Sequence, residues 1–283
     1  MILITGVTGT VGGAVSAQLQ SMGVAHRALV RDVARAAGGP GVTPVAGDLA
    51  RPETLAAGLA GVEKAFLMSP PVEQGLELEK NFITAAKRAG VRHVVKLSAI
   101  HAAPDAGYYF ARQHGLGEQA LEASGMAYTM LRPNGFYQNF LGSADSIKNR
   151  NALTAPAGDM RFSTVDVRDI AAVAAQALTG SGHEGERYTI TGPVALSHQE
   201  IAAIFTAVLG REIAYVDVPP EAARGFMIGS GIPAWNVDKI LDLFAHYRTG
   251  AAAMVTDVVE KVGGKAPIQF EAFVRDAAAA FQP

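Results

Sequence analysis

Short apolar runs alternate with amphipathic stretches along the first half of the chain. Residues 1–5, Met-Ile-Leu-Ile-Thr, read as a buried strand, and residues 11–22 as the helix that follows it. The same rhythm predicts strands over 25–30, 42–46, 64–68, 91–97 and 127–131. Residues 81–89 fall in a helix stopped by Gly90, and residues 117–123 in one stopped by Ser124-Gly125. Strands separated by helices of this length imply parallel βαβ units, hence an α/β, Rossmann-like doubly wound sheet. After Pro133 the rhythm breaks. Ser197-His-Gln-Glu200 has the form of a capping box opening a helix to about Leu209, with Gly210 as its stop. Pro219-Pro220 begins another helical stretch, Gly229 to Pro233 interrupts it, and residues 237–247 resume helical spacing. The division expected is a dinucleotide-binding domain over 1–150 and a smaller, mostly helical substrate-binding region over 151–283. Segments 161–165 and 187–191 are expected to return to the sheet.

Composition narrows the function classes. The chain has 283 residues, enough for a large core, and no cysteine. That excludes a disulfide framework, a thiolate metal site and a cysteine nucleophile. Lysine plus arginine number 24 and aspartate plus glutamate 26, with no dense basic run, which argues against a nucleic-acid partner. Residues 1–25 carry no charge, yet they hold five glycines and no basic leader, and their apolar run ends at Thr5. They read as neither a membrane span nor a signal peptide, so a cytoplasmic protein without a membrane partner is expected. The seven histidines show no ligand-like pairing, and no G-x-S-x-G elbow is present.

The strongest chemical signal is Thr5-Gly6-Val7-Thr8-Gly9-Thr10-Val11-Gly12, between the first strand and the first helix. Gly6 permits a tight turn, Gly9 lets a phosphate approach the main chain, and Gly12 lets the helix pack closely on the strand. The helix start then offers free N–H groups and a positive dipole end to a pyrophosphate, with Thr8, Thr10 and Val11 around it. The spacing is G-x-x-G-x-x-G, so the strand–helix context carries the assignment as much as the glycines do. The end of the second strand selects the cofactor: an acid accepts from a ribose 2′-hydroxyl, a cation pairs with a 2′-phosphate. Here Arg31 follows the strand directly and Arg35 lies one turn later, which favours NADP(H) over NAD(H). The alternative is a solvated Arg31 paired with Asp32.

With these residues in view, the sequence resembles, over nearly its whole length, the NmrA-like group of atypical short-chain dehydrogenase/reductases. Within that group it is most similar to the quinone reductases and triphenylmethane reductases. The resemblance rests on the glycine loop, Val30-Arg31-Asp32, Gly47-Asp48-Leu49, His114-Gly-Leu-Gly-Glu118 with Ser124-Gly125, and Tyr128-Thr-Met-Leu-Arg-Pro133-Asn134-Gly-Phe136 with Asn139. Gly231-Ile-Pro233 in the C-terminal half adds to it. It implies that Asp48 and Leu49 flank an adenine, and that Met68, Ser69 and Pro70 run along the ribose and pyrophosphate. It also implies that Ser98 is an active-site serine, and that the loop of Pro133, Asn134 and Phe136 faces the nicotinamide. Asp48 reads equally as a turn residue, and Arg132 as a buried structural cation.

One departure from the wider superfamily matters. Those enzymes place a tyrosine, then a lysine four residues later, on the helix after the fifth strand. Aligned on Glu118, this chain has Phe110 and His114 there. Tyr108 and Tyr109 lie close by, and Tyr108 with Arg112 has the right interval in a shifted register. Reducing a simple ketone makes an alkoxide that needs an acid. Hydride addition to a quinone or a cationic dye spreads or neutralises the charge, so the missing phenol favours flat, electron-poor, conjugated acceptors. The candidate catalytic set is Ser98, His114 and Tyr109. Two other readings stay open: a non-catalytic NADP-binding redox sensor, and a carbonyl or alcohol reductase using Ser98 with Tyr108 or Tyr109. His101 reads as a further site residue or equally as a solvated loop histidine, Phe136 and Tyr137 as stacking partners or equally as core, and Phe226 and Trp235 as core or surface packing ahead of walls of the acceptor pocket. The chain is expected to act as a monomer or homodimer.

Overall fold

The computed structural model describes every residue except Ala36, Ala37 and Pro71, together with the side chain of Arg35. The first half runs β1 (Ile2–Ile4), α1 (Thr10–Ser21), β2 (His26–Val30), β3 (Val42–Ala46), α2 (Ala56–Leu59), β4 (Lys64–Leu67), α3 (Gly75–Arg88), β5 (His93–Leu97), α4 (Tyr109–Ala123) and β6 (Ala127–Pro133). It continues as α5 (Ala144–Arg150), β7 (Ala152–Ala155), β8 (Arg161–Phe162), α6 (Val167–Thr179), β9 (Arg187–Ile190), β10 (Leu196–Ser197), α7 (His198–Leu209) and β11 (Ala214–Asp217). Then follow α8 (Pro220–Gly229), α9 (Ala234–Tyr247), α10 (Val258–Lys261), α11 (Phe270–Asp276) and α12 (Ala278–Phe281).

Seven strands form one sheet in the order β3-β2-β1-β4-β5-β6-β9. Every pairing in it is parallel, with Ile4 opposite Ala28 on one side and Phe66 on the other. The strand order reverses between β1 and β4, so the loops leaving their carboxyl ends diverge and open a crevice there. The central strands are buried because helices cover both faces. On one face Val11, Val15 and Leu19 of α1 meet Ile170, Val173 and Leu178 of α6. On the other, Phe82 and Ile83 of α3 and Leu121 of α4 pack on Leu3, Val94 and Met130. A third apolar cluster belongs to the C-terminal half, around Phe140, Phe205, Phe270, Phe273 and Phe281.

Two segments after residue 150 return to the sheet layer: α6 covers one face and β9 pairs with β6 from Met130↔Arg187 to Pro133↔Ile190. Segment 161–165, expected in the same sheet, does not join it. With β9 on the edge beside β6, no place remains there, and β8 instead pairs antiparallel with β10. Only Val165 reaches back, through one bridge to Phe136. The capping box forms as expected, with Ser197 and Glu200 reciprocally bonded and Gly210 ending α7 in the left-handed conformation. α4 begins eight residues before the stretch 117–123, at Tyr109, so Phe110, His114 and Glu118 follow one another at one-turn intervals on it. No helix among the described residues is long and apolar enough to cross a membrane.

Candidate functional site

At the carboxyl end of β1 the chain turns through Gly6, whose φ is +69°. A Cβ there would lie 2.6 Å from the Met68 thioether. Thr5 ties this turn to the next loop: its hydroxyl donates to the Met68 carbonyl and accepts from the Met68 N–H, both at 2.8 Å. The Gly9 N–H donates to the Gly6 carbonyl at 2.9 Å, which folds the loop back over the start of α1. Gly12 is where the helix meets the turn; a Cβ on it would sit 2.3 Å from the Gly6 carbonyl oxygen and 2.7 Å from that of Thr5. Gly9 caps α1 with its backbone alone, and the first turn carries no acidic side chain. The positive end of the helix is therefore left to an external anion, beside the exposed Thr8 and Thr10.

The residues expected to hold the rest of a dinucleotide surround the same crevice. Gly6, Thr8, Gly9, Thr10, Val11, Arg31, Asp48, Leu49, Met68, Ser69, Pro70, Pro133, Asn134 and Phe136 all line it, and Gly12 lies behind them as packing. Arg31 is exposed and has no ion-pair partner among the described residues. Asp32, its alternative partner, accepts instead from the Ala34 N–H at 3.0 Å. The Arg35 side chain lies outside the described residues. Asp48 takes the turn role: its carboxylate accepts from the Ala50 N–H at 3.0 Å and faces Arg51 at 3.4 Å. Asn134 is buried with both ends of its amide engaged. It donates to the Ser163 hydroxyl and the Ala252 carbonyl and accepts from the Gly135 N–H. Its side chain thus braces the loop after β6 against the C-terminal half.

Beyond β5 the candidate catalytic residues come together, with unequal freedom. Ser98 is buried, and its hydroxyl donates to Glu118, which also receives a two-pronged contact from Arg132. Arg132 is therefore the structural cation, and the Ser98 proton is already placed. Tyr108 is not an available donor: its hydroxyl donates to the Ile100 carbonyl at 3.0 Å, its ring stacks on His246, and burial pushes its pKa up to about 12. Arg112 turns to the Ala106 carbonyl, so no Tyr108–Arg112 dyad exists. Tyr109 lines the crevice beside Phe110, with the Lys239 ammonium 4.9 Å over its ring. His114 also lines it, half-buried, and burial together with nearby Lys96 lowers its pKa to about 3. The ring is neutral at physiological pH.

Sequence reasoning missed Lys96 and Glu79. Lys96 is wholly buried on β5, 3.1 Å from Glu79 of α3 and 3.5 Å from His114 Nδ1. The signal was available: a lysine inside the run His-Val-Val-Lys-Leu, in a strand covered on both faces, requires partners. His101, by contrast, turns away; its Nε2 meets the Ala251 carbonyl at 2.9 Å. Tyr137 is core, donating to the Ile268 carbonyl at 3.1 Å.

The crevice does not stop at these residues. It continues into the C-terminal half past Phe140, Phe226, Trp235 and Phe244, giving one cavity of about 1640 Å³. Phe226 and Trp235 thus face it, so for both the pocket-wall reading holds over core or surface packing. A drug-sized ligand fills roughly 300–1,000 Å³, so a dinucleotide and a second, flat molecule fit end to end. The donor set suits the first: an uncapped helix start, a glycine turn and an unpaired arginine at the second strand.

Comparison with known proteins agrees with this geometry. The model of the NmrA-like family matches residues 1–271. An NAD(P)H azoreductase of Xenophilus azovorans is 42% identical over 283 residues, covering 99% of both chains. The solved structure of an NADPH-dependent quinone oxidoreductase from Escherichia coli, complexed with NADPH, superposes with a TM-score of 0.89 at 29% identity, covering 99% of this chain and 100% of that one. The triphenylmethane reductase of Citrobacter sp., complexed with NADP(H), gives a TM-score of 0.89 at 27% identity, covering 98% and 100%.

Proposed function

The chain belongs to the NmrA-like family, and on that footing we propose that it is an NADPH-dependent oxidoreductase that reduces quinones, azo dyes or related conjugated, electron-poor acceptors. The observation that carries the reading is the single cavity running from the glycine turn past His114 to the aromatic walls of the C-terminal half. A protein that only sensed the dinucleotide has no use for a second, aromatic-lined compartment at the reacting end.

In this reading the start of α1 and Gly6, Gly9 and Thr10 hold the pyrophosphate, and Arg31 holds the 2′-phosphate. Asp48 and Leu49 flank the adenine by backbone and apolar contact, because the Asp48 carboxylate is engaged in its own turn. Met68, Ser69 and Pro70 border the ribose. The loop of Pro133, Asn134 and Phe136 backs the nicotinamide, which supplies the hydride when bound. The chain itself supplies position: Phe136, Phe226 and Trp235 offer flat faces for a planar acceptor, and the buried Glu118, paired with the half-buried Arg132, keeps Ser98 and the end of β5 in place. Residues 1–150 build the cofactor half and residues 151–283 most of the acceptor half, with α6 and β9 lent back to the sheet. A cysteine-free chain of low net charge suits a cytoplasmic enzyme, as a monomer or a homodimer.

The test follows NADPH absorbance with a panel of quinones, azo dyes, cationic dyes, enones and ketones. Turnover of the conjugated acceptors above the ketones is expected. Tight NADPH binding without turnover of any acceptor would establish the sensor reading instead.

A further inference from the structure

Lys96 is an expensive residue to keep. An ammonium in the middle of a sheet, on a strand covered on both faces, is less stable than an apolar side chain of the same size. The surroundings are nevertheless shaped for it. Its Nζ donates to the Leu97 carbonyl at 3.0 Å, pairs with Glu79 at 3.1 Å and faces His114 Nδ1 at 3.5 Å. α4 carries Gly117 where the ammonium passes; a Cβ there would stand 2.2 Å from the Glu79 carboxylate and 2.9 Å from Lys96 Cε. Two helices and a strand are thus fitted around one charge.

We propose that Lys96 is the positioning residue of a proton relay in which His114 Nε2–H protonates the acceptor after it has taken up hydride. The inference rests on the reductase reading above. An ammonium has donors only, so the Nδ1 it faces must be the lone-pair nitrogen. The neutral ring then carries its proton on Nε2. Among the described residues no group bonds Nε2, and the ring lines the cavity. The separation of 3.5 Å is that of an open contact, of the kind that tightens when substrate is bound. The charged group that faces the ring is Lys96 from β5, with Glu79 of α3 behind it; Glu118, one turn on from His114 on α4, is held by Arg132 of β6.

For an azo acceptor the balance is as follows. The N=N π bond breaks as hydride, two electrons and a proton, arrives from the dihydronicotinamide, which is oxidised. One nitrogen gains an N–H bond and the other becomes an anion. That anion takes the Nε2 proton while Nδ1 takes one from the Lys96 ammonium, so the ring stays neutral throughout. Water in the cavity then returns a proton to Nε2 and Nδ1 returns one to Lys96, which resets the relay. The product is the hydrazo compound. A quinone follows the same course with a less basic oxygen anion. A cationic triphenylmethane dye becomes neutral on hydride addition and needs no proton.

The test compares wild type with Lys96→Met and with Lys96→Met/Glu79→Gln, the second leaving no unpaired carboxyl. Nitrogen NMR of labelled histidine in the whole protein reads the His114 tautomer. Wild type is expected to hold Nε2–H, and both variants a mixture, with the ring's pKa raised. Azo reduction should fall by about a hundredfold in kcat with KM little changed, quinone reduction by less, and cationic-dye reduction not at all. An Nδ1–H tautomer in wild type, an unchanged tautomer in the variants, or equal loss on all acceptors overturns the relay. The tautomer decides alone if the cationic dye is no substrate. If none of the acceptors offered makes wild type oxidise NADPH, the reductase reading fails, a result separable from the tautomer.

Discussion

Gly9 and Gly12 stand three residues apart in one loop, and the structure gives them different work, so replacing each by alanine should do different damage. At Gly12 the new methyl would lie 2.3 Å from the Gly6 carbonyl oxygen and 2.5 Å from its carbon. Both are backbone atoms and neither has a rotamer to escape into. The helix start must lift from β1, a strain of about 1–3 kcal/mol. At roughly 2–4 °C per kcal/mol for a chain near this size, Gly12→Ala should lower Tm by several degrees. At Gly9 the nearest atom to the added Cβ is 3.4 Å away, and the backbone, at φ −101°, suits any residue. Gly9→Ala should therefore lower Tm less than Gly12→Ala, by no more than the modest cost of alanine at an N-cap. Its methyl stands, however, at the mouth of the helix start, where the pyrophosphate must touch main-chain N–H groups. Losing one or two charge-assisted hydrogen bonds, each worth about 1.5–3 kcal/mol, weakens NADPH binding by roughly tenfold or more. Calorimetric titration with NADPH and thermal melts of the same two variants check this. Native affinity in Gly9→Ala, or native stability in Gly12→Ala, would refute the assignment of packing to one glycine and ligand approach to the other.

Arg31→Ala should weaken NADPH by about tenfold to a hundredfold, from the loss of one charged contact to phosphate, and leave NADH nearly untouched; equal loss of both would remove the 2′-phosphate role. Tyr109→Phe should leave quinone and azo turnover intact, since the relay does not pass through it; a collapse of quinone turnover would move the proton donor to that phenol. Burial, the largest cause at each site, holds His93 and His198 near a pKa of about 4, against an ordinary 6.5. Between those values the unfolded chain binds more protons than the folded one, so stability must fall as pH is lowered from about 6.5 towards 4. Urea midpoints across that window should show the slope, and His198→Phe, beside the stacked Phe162, should flatten it. An identical slope in that variant would take His198 out of the account.

The central strands were legible because each lies in a parallel sheet covered on both faces, where burial writes a largely apolar run; β3, at the sheet edge with no residue buried, was legible only as a short valine-containing segment. Their ends were legible to within two residues, and so was the glycine turn with its uncapped helix start, because that is a purely local device. Segment 161–165 was not. Whether Arg161 and Phe162 join the large sheet depends on which later segment occupies the edge beside β6, and β9 does. Nothing within the segment encodes that competition. The start of α4 was missed for a related reason. Its N-cap residue, Tyr108, offers no side-chain cap; the Tyr109 N–H donates instead to the Asp242 carboxylate of α9 at 3.2 Å, a contact no local sequence signal encodes.

The same distinction separates the two parts of the site. Binding residues announce themselves through local geometry, but the proton machinery depends on contacts across the sheet. Ser98 read as an active-site serine, but its hydroxyl donates to Glu118, twenty residues on. Tyr108 looked like a displaced phenol until the Ile100 carbonyl claimed it. Lys96 passed as one polar residue in a valine-rich strand, because its meaning lies in Glu79 and His114, which arrive from two helices. A charge buried in a central strand is costly whatever its partners. Its retention next to the one ring whose protonation state and tautomer it can set is therefore an argument about chemistry rather than about folding. In the relay proposed above, His114 and Lys96 give a chain that has Phe110 and His114 in place of the usual tyrosine and lysine its route for protons to the cavity.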